Sequence, residues 1–264
     1  MNPVIVRGVK IGEGTPKICV SLTAKTKAEL FEDAAAIMGD EVASSVIDIV
    51  EWRADYYEGP IEGQVRPIEP LAELRQIIGD KPLIFTYRTA NEGGMGSIDS
   101  SYESLLKAAI DSKLVDLVDV ELFMGDEIAS QLIAYAHANG VKVIASNHDF
   151  EGTPELDEIV TRLKNMQKLG ADLLKIAVMP KNMKDVLTLL EATVVMSEHY
   201  AQCPLVTIAM SDLGAITRVT GEVFGSSITF GTLGKLSAPG QIAASQLSDM
   251  LLRVHHLFPN ENKL

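Results

Sequence analysis

Cysteine is almost absent from this sequence: among 264 residues only Cys19 and Cys203 occur, far apart and in no C-x-x-C arrangement. A disulfide scaffold and a paired-thiol redox or metal motif are thereby excluded. Cys19 lies in the apolar run 17–21 and reads as a small buried thiol. Long apolar runs are missing too, none approaching the ~18 residues that span a bilayer. The first residues offer four apolar side chains before Arg7, too few for the apolar stretch of a secretion signal. A cytoplasmic protein with no membrane partner is expected. Basic residues are outnumbered, 23 against 36 acidic, for a net charge of −13. With no positive field to attract phosphodiesters, nucleic acid is not expected as a partner, and an anionic ligand would need a local cluster of cations. H-E-x-x-H and zinc-spaced His/Cys groups do not occur, and residues 231–235 lack the spacing of a phosphate loop, so neither a metal nor a cofactor is expected.

What is present is an ordinary globular composition, 47% hydrophobic and 22% charged, with no Ser/Gly/Pro-rich linker, and a regular alternation of elements. Short runs rich in β-branched residues read as strands at 17–21, 46–52, 83–88, 117–122, 141–146, 173–178, 204–210 and 227–230. Helical periodicity lies between them, for example over 27–38, 101–111, 127–138, 154–169 and 183–198. Thr153-Pro154-Glu155 reads as an N-cap with proline in the first turn, and Gly140 and Gly170 as helix-ending glycines. Eight βα units in a chain of this length fit one (β/α)8 TIM barrel, a single domain over residues 1–264. An open doubly wound sheet is the alternative, but its glycine fingerprint is missing from the first strand–helix turn at 21–26. Residues 1–16 read as a short N-terminal β-hairpin that closes one end of the barrel.

Strand parity assigns each side chain to a face. In Leu173–Val178 it turns Leu174, Ile176 and Val178 outward under helices and Leu173, Lys175 and Ala177 into the barrel. Desolvation there disfavours the ammonium form and favours a free amine, as carbonyl-trapping enzymes require. The same parity places Ile47, Ile49, Glu51 and Arg53 on one face, Arg88 in phase with Ile84 and Thr86, Asp119 and Glu121 with Leu117, and His148 with Ile144 and Ser146. Buried salt bridges alone would account for such residues. Their gathering at the C-terminal ends of five strands instead marks the face where barrel enzymes build their sites. The glycine-rich segment 92–96 reads as a mobile loop carrying one acid, Glu92.

The constellation resembles the type I 3-dehydroquinate dehydratase family along nearly the whole chain. The pieces that carry it are Glu51-Trp52-Arg53, Arg88 followed by Glu92-Gly93-Gly94, Asp119-Val-Glu121, Ser146-Asn-His148-Asp-Phe, Lys175-Ile-Ala-Val-Met-Pro, Gly221-Glu-Val-Phe-Gly-Ser and Ser237-Ala-Pro-Gly-Gln241. The resemblance implies a lyase, usually a homodimeric barrel without cofactor. Such an enzyme converts 3-dehydroquinate to 3-dehydroshikimate and water through a lysine Schiff base, in the shikimate pathway to chorismate and aromatic amino acids. It further implies that Lys175 condenses with the ring ketone, that His148 is the general acid/base, and that Glu92 orients or tunes it. Ser21, Glu51, Arg53, Arg88, Met210, Arg218, Ser237 and Gln241 then contact substrate, with Arg218 a carboxylate clamp and residues 237–241 part of a lid. The chain departs from the family at Ile208, where one methionine of a Met-Ser-Met pair is usual, and at Asn91, Asp212 and Leu236, where basic residues are common. Two further readings stay open at this point: another lysine-dependent lyase, such as an aldolase of a phosphorylated sugar, and a non-catalytic barrel that binds a small anion or a partner.

Overall fold

The computed structural model describes residues 1–58, 68–99, 101–233 and 238–257. Arg7 (φ 46°) and Gly8 (φ 82°) turn the chain between β1 (Val4–Val6) and β2 (Val9–Ile11), an antiparallel hairpin. Two successive positive φ values suit the right-handed twist of such a pair. Eight parallel strands follow: β3 (Lys17–Leu22), β4 (Ile49–Arg53), β5 (Leu83–Thr86), β6 (Leu117–Glu121), β7 (Lys142–Asp149), β8 (Leu173–Val178), β9 (Leu205–Ala209) and β10 (Ile228–Thr232). The first and last, β3 and β10, pair directly. Between β9 and β10 a single Leu205–Ser226 bridge and a 2.7 Å bond from Ser227 N–H to the Leu205 carbonyl complete the ring. A two-residue strand, β11 (Ile242–Ala243), adds in parallel to the end of β10.

The helices are α1 (Lys27–Gly39), α2 (Glu41–Val46), α3 (Pro70–Ile78), α4 (Ser101–Asp111), α5 (Asp126–Ala138), α6 (Leu156–Lys168), α7 (Met183–His199), α8 (Ala215–Val219), α9 (Gly221–Phe224) and α10 (Ala244–Leu257). Gly140 (φ 77°) and Gly170 (φ 97°) follow α5 and α6 in the left-handed conformation expected of them. Thr153 is not an N-cap: Glu155 stays extended (φ −61°, ψ 153°), so α6 opens at Leu156 with Asp157 and Glu158 as its acidic first turn. The sequence reading likewise ran its second strand back to residue 46, where the chain is still in α2. Ile47 therefore packs in the outer layer rather than inside the barrel.

Strand parity sorts the apolar residues into two layers. Outward side chains such as Val50, Phe85, Val118, Val143, Leu174 and Ile176 join the helices in one large cluster. Inside, Cys19, Ile49, Ile84, Leu117, Ile144, Leu173, Val206 and Ile228, one from each strand, make an apolar floor. Val6 and Ile11 of the hairpin pack beneath it. The N-terminal end is sealed further by a repeated device. Asp48, Asp116 and Asp172 each precede an even-numbered strand and accept from the N–H of Ile18 (2.8 Å), Leu83 (2.9 Å) and Val143 (2.9 Å) on the strand before. Each donates its own N–H back to the same residue's carbonyl at 2.9–3.0 Å. Arg7 binds Asp116 at 2.7 Å and so ties the hairpin to the barrel. With that end closed, ligands enter from the other.

Candidate active site

Above the apolar floor the inward positions turn polar. Lys175, on β8, is 5% exposed. Its Nζ lies 3.4 Å from Asp119 Oδ2 on β6, 3.9 Å from Glu51 Oε1 on β4, and 4.6 Å from the centroid of the Phe230 ring on β10. The amine thus points inward as parity requires, and it has two carboxylates for company. Glu51 is held in turn by the hydroxyls of Ser21 and Thr86, the latter at 2.8 Å.

Arg88 leaves the end of β5 and, though buried, is surrounded by acceptors. Its Nη2 meets Asp119 at 2.9 Å, and its Nη1 meets Glu121 at 2.9 Å, Ser146 Oγ at 2.9 Å and Glu92 at 3.4 Å. Burial opposes its charge, yet Asp119, Glu121 and Glu92 hold its proton more tightly than usual. Burial likewise acts to raise the Asp119 carboxyl, and Arg88 and Lys175 more than offset it, leaving that group below its ordinary value. Arg53 is engaged by Asp55 through two bonds of 2.8 Å.

The loop after β5 is closed by hydrogen bonds of its own backbone. Gly94 and Gly96 N–H donate to the carbonyls of Thr89 and Arg88 at 2.9 Å, folding the segment onto its own strand. A Cβ at Gly94 would lie 2.1 Å from the Arg88 carbonyl oxygen, so the fold-back needs glycine there. This places Glu92, 3% exposed, against β7. Its Oε2 accepts the His148 backbone N–H at 3.0 Å and lies 2.9 Å from His148 Nδ1. Burial pushes the Glu92 carboxyl up to about 8. Burial, followed by the charges of Arg88, Lys175 and Arg53, pushes the imidazole well below its ordinary value. A histidine near neutrality would suit an acid/base role, but here burial first, and then three facing cations, hold the ring below its ordinary value, while burial lifts the carboxyl of the pair.

Arg218, on α8, is 1% exposed and differs from the other arginines. Its Nη2 donates to the Pro239 carbonyl at 2.9 Å and its Nη1 to that of Phe230 at 3.4 Å, while its Nε is buried without a partner. Among the described residues no carboxylate pairs with it, and burial lowers its pKa to about 10. A buried guanidinium without a counter-ion is a ready anion site.

One cavity opens at the C-terminal end of the barrel. It brings together Lys175, His148, Glu92, Ser21, Glu51, Arg53, Arg88, Met210, Arg218 and Gln241. Ser237 lies outside the described residues. Ala177 and Ile208, which the sequence marks only as an inward neighbour of Lys175 and as a departure from the family, also line the cavity, as do Phe150 and Phe230, to which it assigns no role. Apolar residues on a strand carry no signal that separates cavity wall from core. Asp119 shows its place only through its distance to Lys175.

A family model described as type I 3-dehydroquinase matches residues 18–257. The 3-dehydroquinate dehydratase of Clostridioides difficile is 49% identical over 251 residues, 95% of this chain and 96% of that protein. That of Salmonella paratyphi B is 48% identical over 256 residues, 97% and 99% of the two chains. A crystal structure of the type I enzyme from Clostridium difficile, solved with covalently modified comenic acid, superposes with a TM-score of 0.91 at 47% identity, covering 97% of this chain and 99% of that one. With nearly all of its length matched and its barrel shared, this chain belongs to the type I 3-dehydroquinase family of dehydratases.

Proposed function

We propose that the chain removes water from 3-dehydroquinate to give 3-dehydroshikimate through an imine on Lys175. One observation carries this reading. A single cavity gathers a buried lysine amine, a histidine–carboxyl pair and a buried guanidinium that has no counter-ion among the described residues. The substrate offers a ketone, an acidifiable C–H beside it, a hydroxyl to expel and a carboxylate, and each has a partner of the right chemistry here. The crystal structure of the relative with a covalently modified ligand supports covalent chemistry in the family.

Lys175 Nζ, once it has passed a proton to a neighbouring carboxylate or to His148, attacks the ketone carbon. The carbinolamine loses its hydroxyl as water to form a protonated imine. The imine withdraws electrons from the adjacent carbon, whose proton His148 Nε2 removes to leave an enamine. With Nδ1 turned to Glu92, Nε2 is the nitrogen left for this task. The enamine expels the β-hydroxyl, which takes the same proton from His148 and departs as water. A second water hydrolyses the conjugated imine, releasing the enone and restoring the amine. Arg218 holds the carboxylate, and Ser21, Glu51, Arg53, Arg88, Met210 and Gln241 shape the remaining contacts. Ser237 completes the set on the family's pattern, with residues 237–241 as part of a lid that keeps water from the imine.

A cytoplasmic location in a shikimate-pathway cell, a single domain over residues 1–264 and a homodimer complete the proposal. Purified protein given 3-dehydroquinate should generate the ultraviolet absorbance of a conjugated enone, with no carbon–carbon cleavage. Borohydride added during turnover should leave a stable adduct on wild-type protein and none on Lys175→Ala. An undiminished adduct in that variant removes the lysine from its role. Cleaved products would favour an aldolase.

A further inference from the structure

Asn147 precedes His148 on β7 and therefore faces the other way, toward the helices, where it is 1% exposed. Its neighbours on that face, Val143 and Ala145, are apolar. A buried amide there is out of keeping with packing alone. Both of its ends are engaged. Arg162 of α6 donates from Nη1 to Asn147 Oδ1 at 2.8 Å, and this bond fixes the amide so that Nδ2 must face the other way. That Nδ2 donates to Glu92 Oε1 at 3.2 Å, while Glu92 Oε2 serves His148. Arg162 is itself anchored by Glu158 at 2.8 Å, by Asp149 at 3.4 Å and by stacking 5.0 Å from the Phe123 ring.

We propose that Asn147, oriented by Arg162, is a positioning residue for the Glu92–His148 pair, linking the outer helix layer to the proton carrier of the site. The proposal rests on the reading of His148 given above. By donating to Oε1, Asn147 turns the carboxyl so that Oε2 addresses Nδ1, and it favours the ionised carboxylate that accepts the Nδ1 proton. The other groups facing the pair are Arg88 from the end of β5, Asp119 and Glu121 from β6, Lys175 from β8 and Arg53 from β4. The carboxylates among them oppose ionisation of Glu92, and the cations oppose protonation of His148.

The test is Asn147→Asp. It keeps the shape and the acceptor for Arg162 but sets a second carboxylate oxygen where the donor stood. The proton then stays on the pair to higher pH. Loss of one charge-assisted bond corresponds to about one pH unit, so the acid limb of kcat/KM should rise by about that much and kcat at pH 7 should fall about tenfold, with KM little changed. The ring-nitrogen shifts of His148, followed by NMR on 15N-histidine-labelled protein without substrate, should titrate with the same displacement. Arg162→Gln, which keeps Asn147 itself but removes the bond that orients it, should move both readouts the same way by less, and it decides the matter if Asn147→Asp does not fold. Wild-type ring titration and an unmoved acid limb in these variants overturn the proposal, whatever their melting temperatures. A displaced ring titration with an unmoved limb upholds the positioning and instead removes His148 as the proton carrier.

Discussion

At the scale of single residues the chemistry depends on which charges have company. Arg53 and Arg88 are matched by carboxylates, and among the described residues Arg218 is not. Arg218→Ala should therefore raise KM by roughly 10–100-fold while changing kcat little, as removal of binding common to ground and transition states does. Unchanged KM in steady-state assays would argue against a carboxylate clamp. His148→Ala should still form the borohydride-trapped adduct but turn over about 10²–10⁴-fold more slowly, the usual share of a general acid–base group. Near-normal turnover would exclude it. Because proton removal needs the neutral ring with its Nδ1 proton given to an ionised Glu92, kcat/KM of the wild type should rise as pH passes through about 8. Glu92→Gln should abolish that limb, and a pH profile that keeps it would assign the limb to another group.

At the scale of elements, two ends of one barrel do different work. The glycine-bearing loop after β5 and the end of β7 meet at the open end, and their hydrogen bonds bring an acid and a histidine together across 56 positions of sequence. At the closed end Asp48, Asp116 and Asp172 repeat one capping bond on alternate strands. Asp116 also binds two arginines, Arg7 (2.7 Å) and Arg75 (2.6 Å). Asp116→Ala should cost about 1–3 kcal/mol in urea denaturation, since it leaves a strand N–H without its acceptor and removes the carboxylate that two arginines share, yet leave turnover nearly intact. A loss of activity without a loss of stability would show that the two ends are coupled.

At the scale of the whole molecule, buried ionisable groups tie stability to pH. The Glu92 carboxyl, raised from 4.5 to about 8 on folding, stabilises fully below the lower value and loses that contribution as pH climbs through the higher one. His148, whose folded value is depressed, acts in the opposite window: its contribution is complete above 6.5 and is lost as pH falls through its lowered value. Replacing Glu92 by a neutral isostere removes only the first effect. The melting temperature of Glu92→Gln should thus gain on the wild type between pH 5 and pH 8, by about 2–4 °C for each kcal/mol recovered. Parallel curves over that range would show that the buried carboxyl costs the fold nothing. The net charge of −13 does not prevent anion binding, because an arginine without a counter-ion deep in the cavity acts over a few ångströms, while surface charge is screened within about 8 Å at physiological salt.

Much of this was legible in the chain itself. Alternating periods of two and 3.6 residues encode a βα repeat, and within each strand the pleat alone sends Lys175, Glu51, Asp119 and His148 inward, because direction along a strand is local geometry. Boundaries were less legible. Helix α2 is not legible, its last residue Val46 reading as strand, and α6 reads as opening two residues early, since backbone angles at residue 155 depend on what the loop packs against. Which inward charges meet was not legible at all. That Asp119 and Glu51 flank the lysine, that burial and then three cations depress the imidazole, and that Asn147 reaches Glu92 from the far face all depend on strand stagger, loop path and helix docking. Those are distances between residues tens of positions apart, and only closure of the barrel sets them.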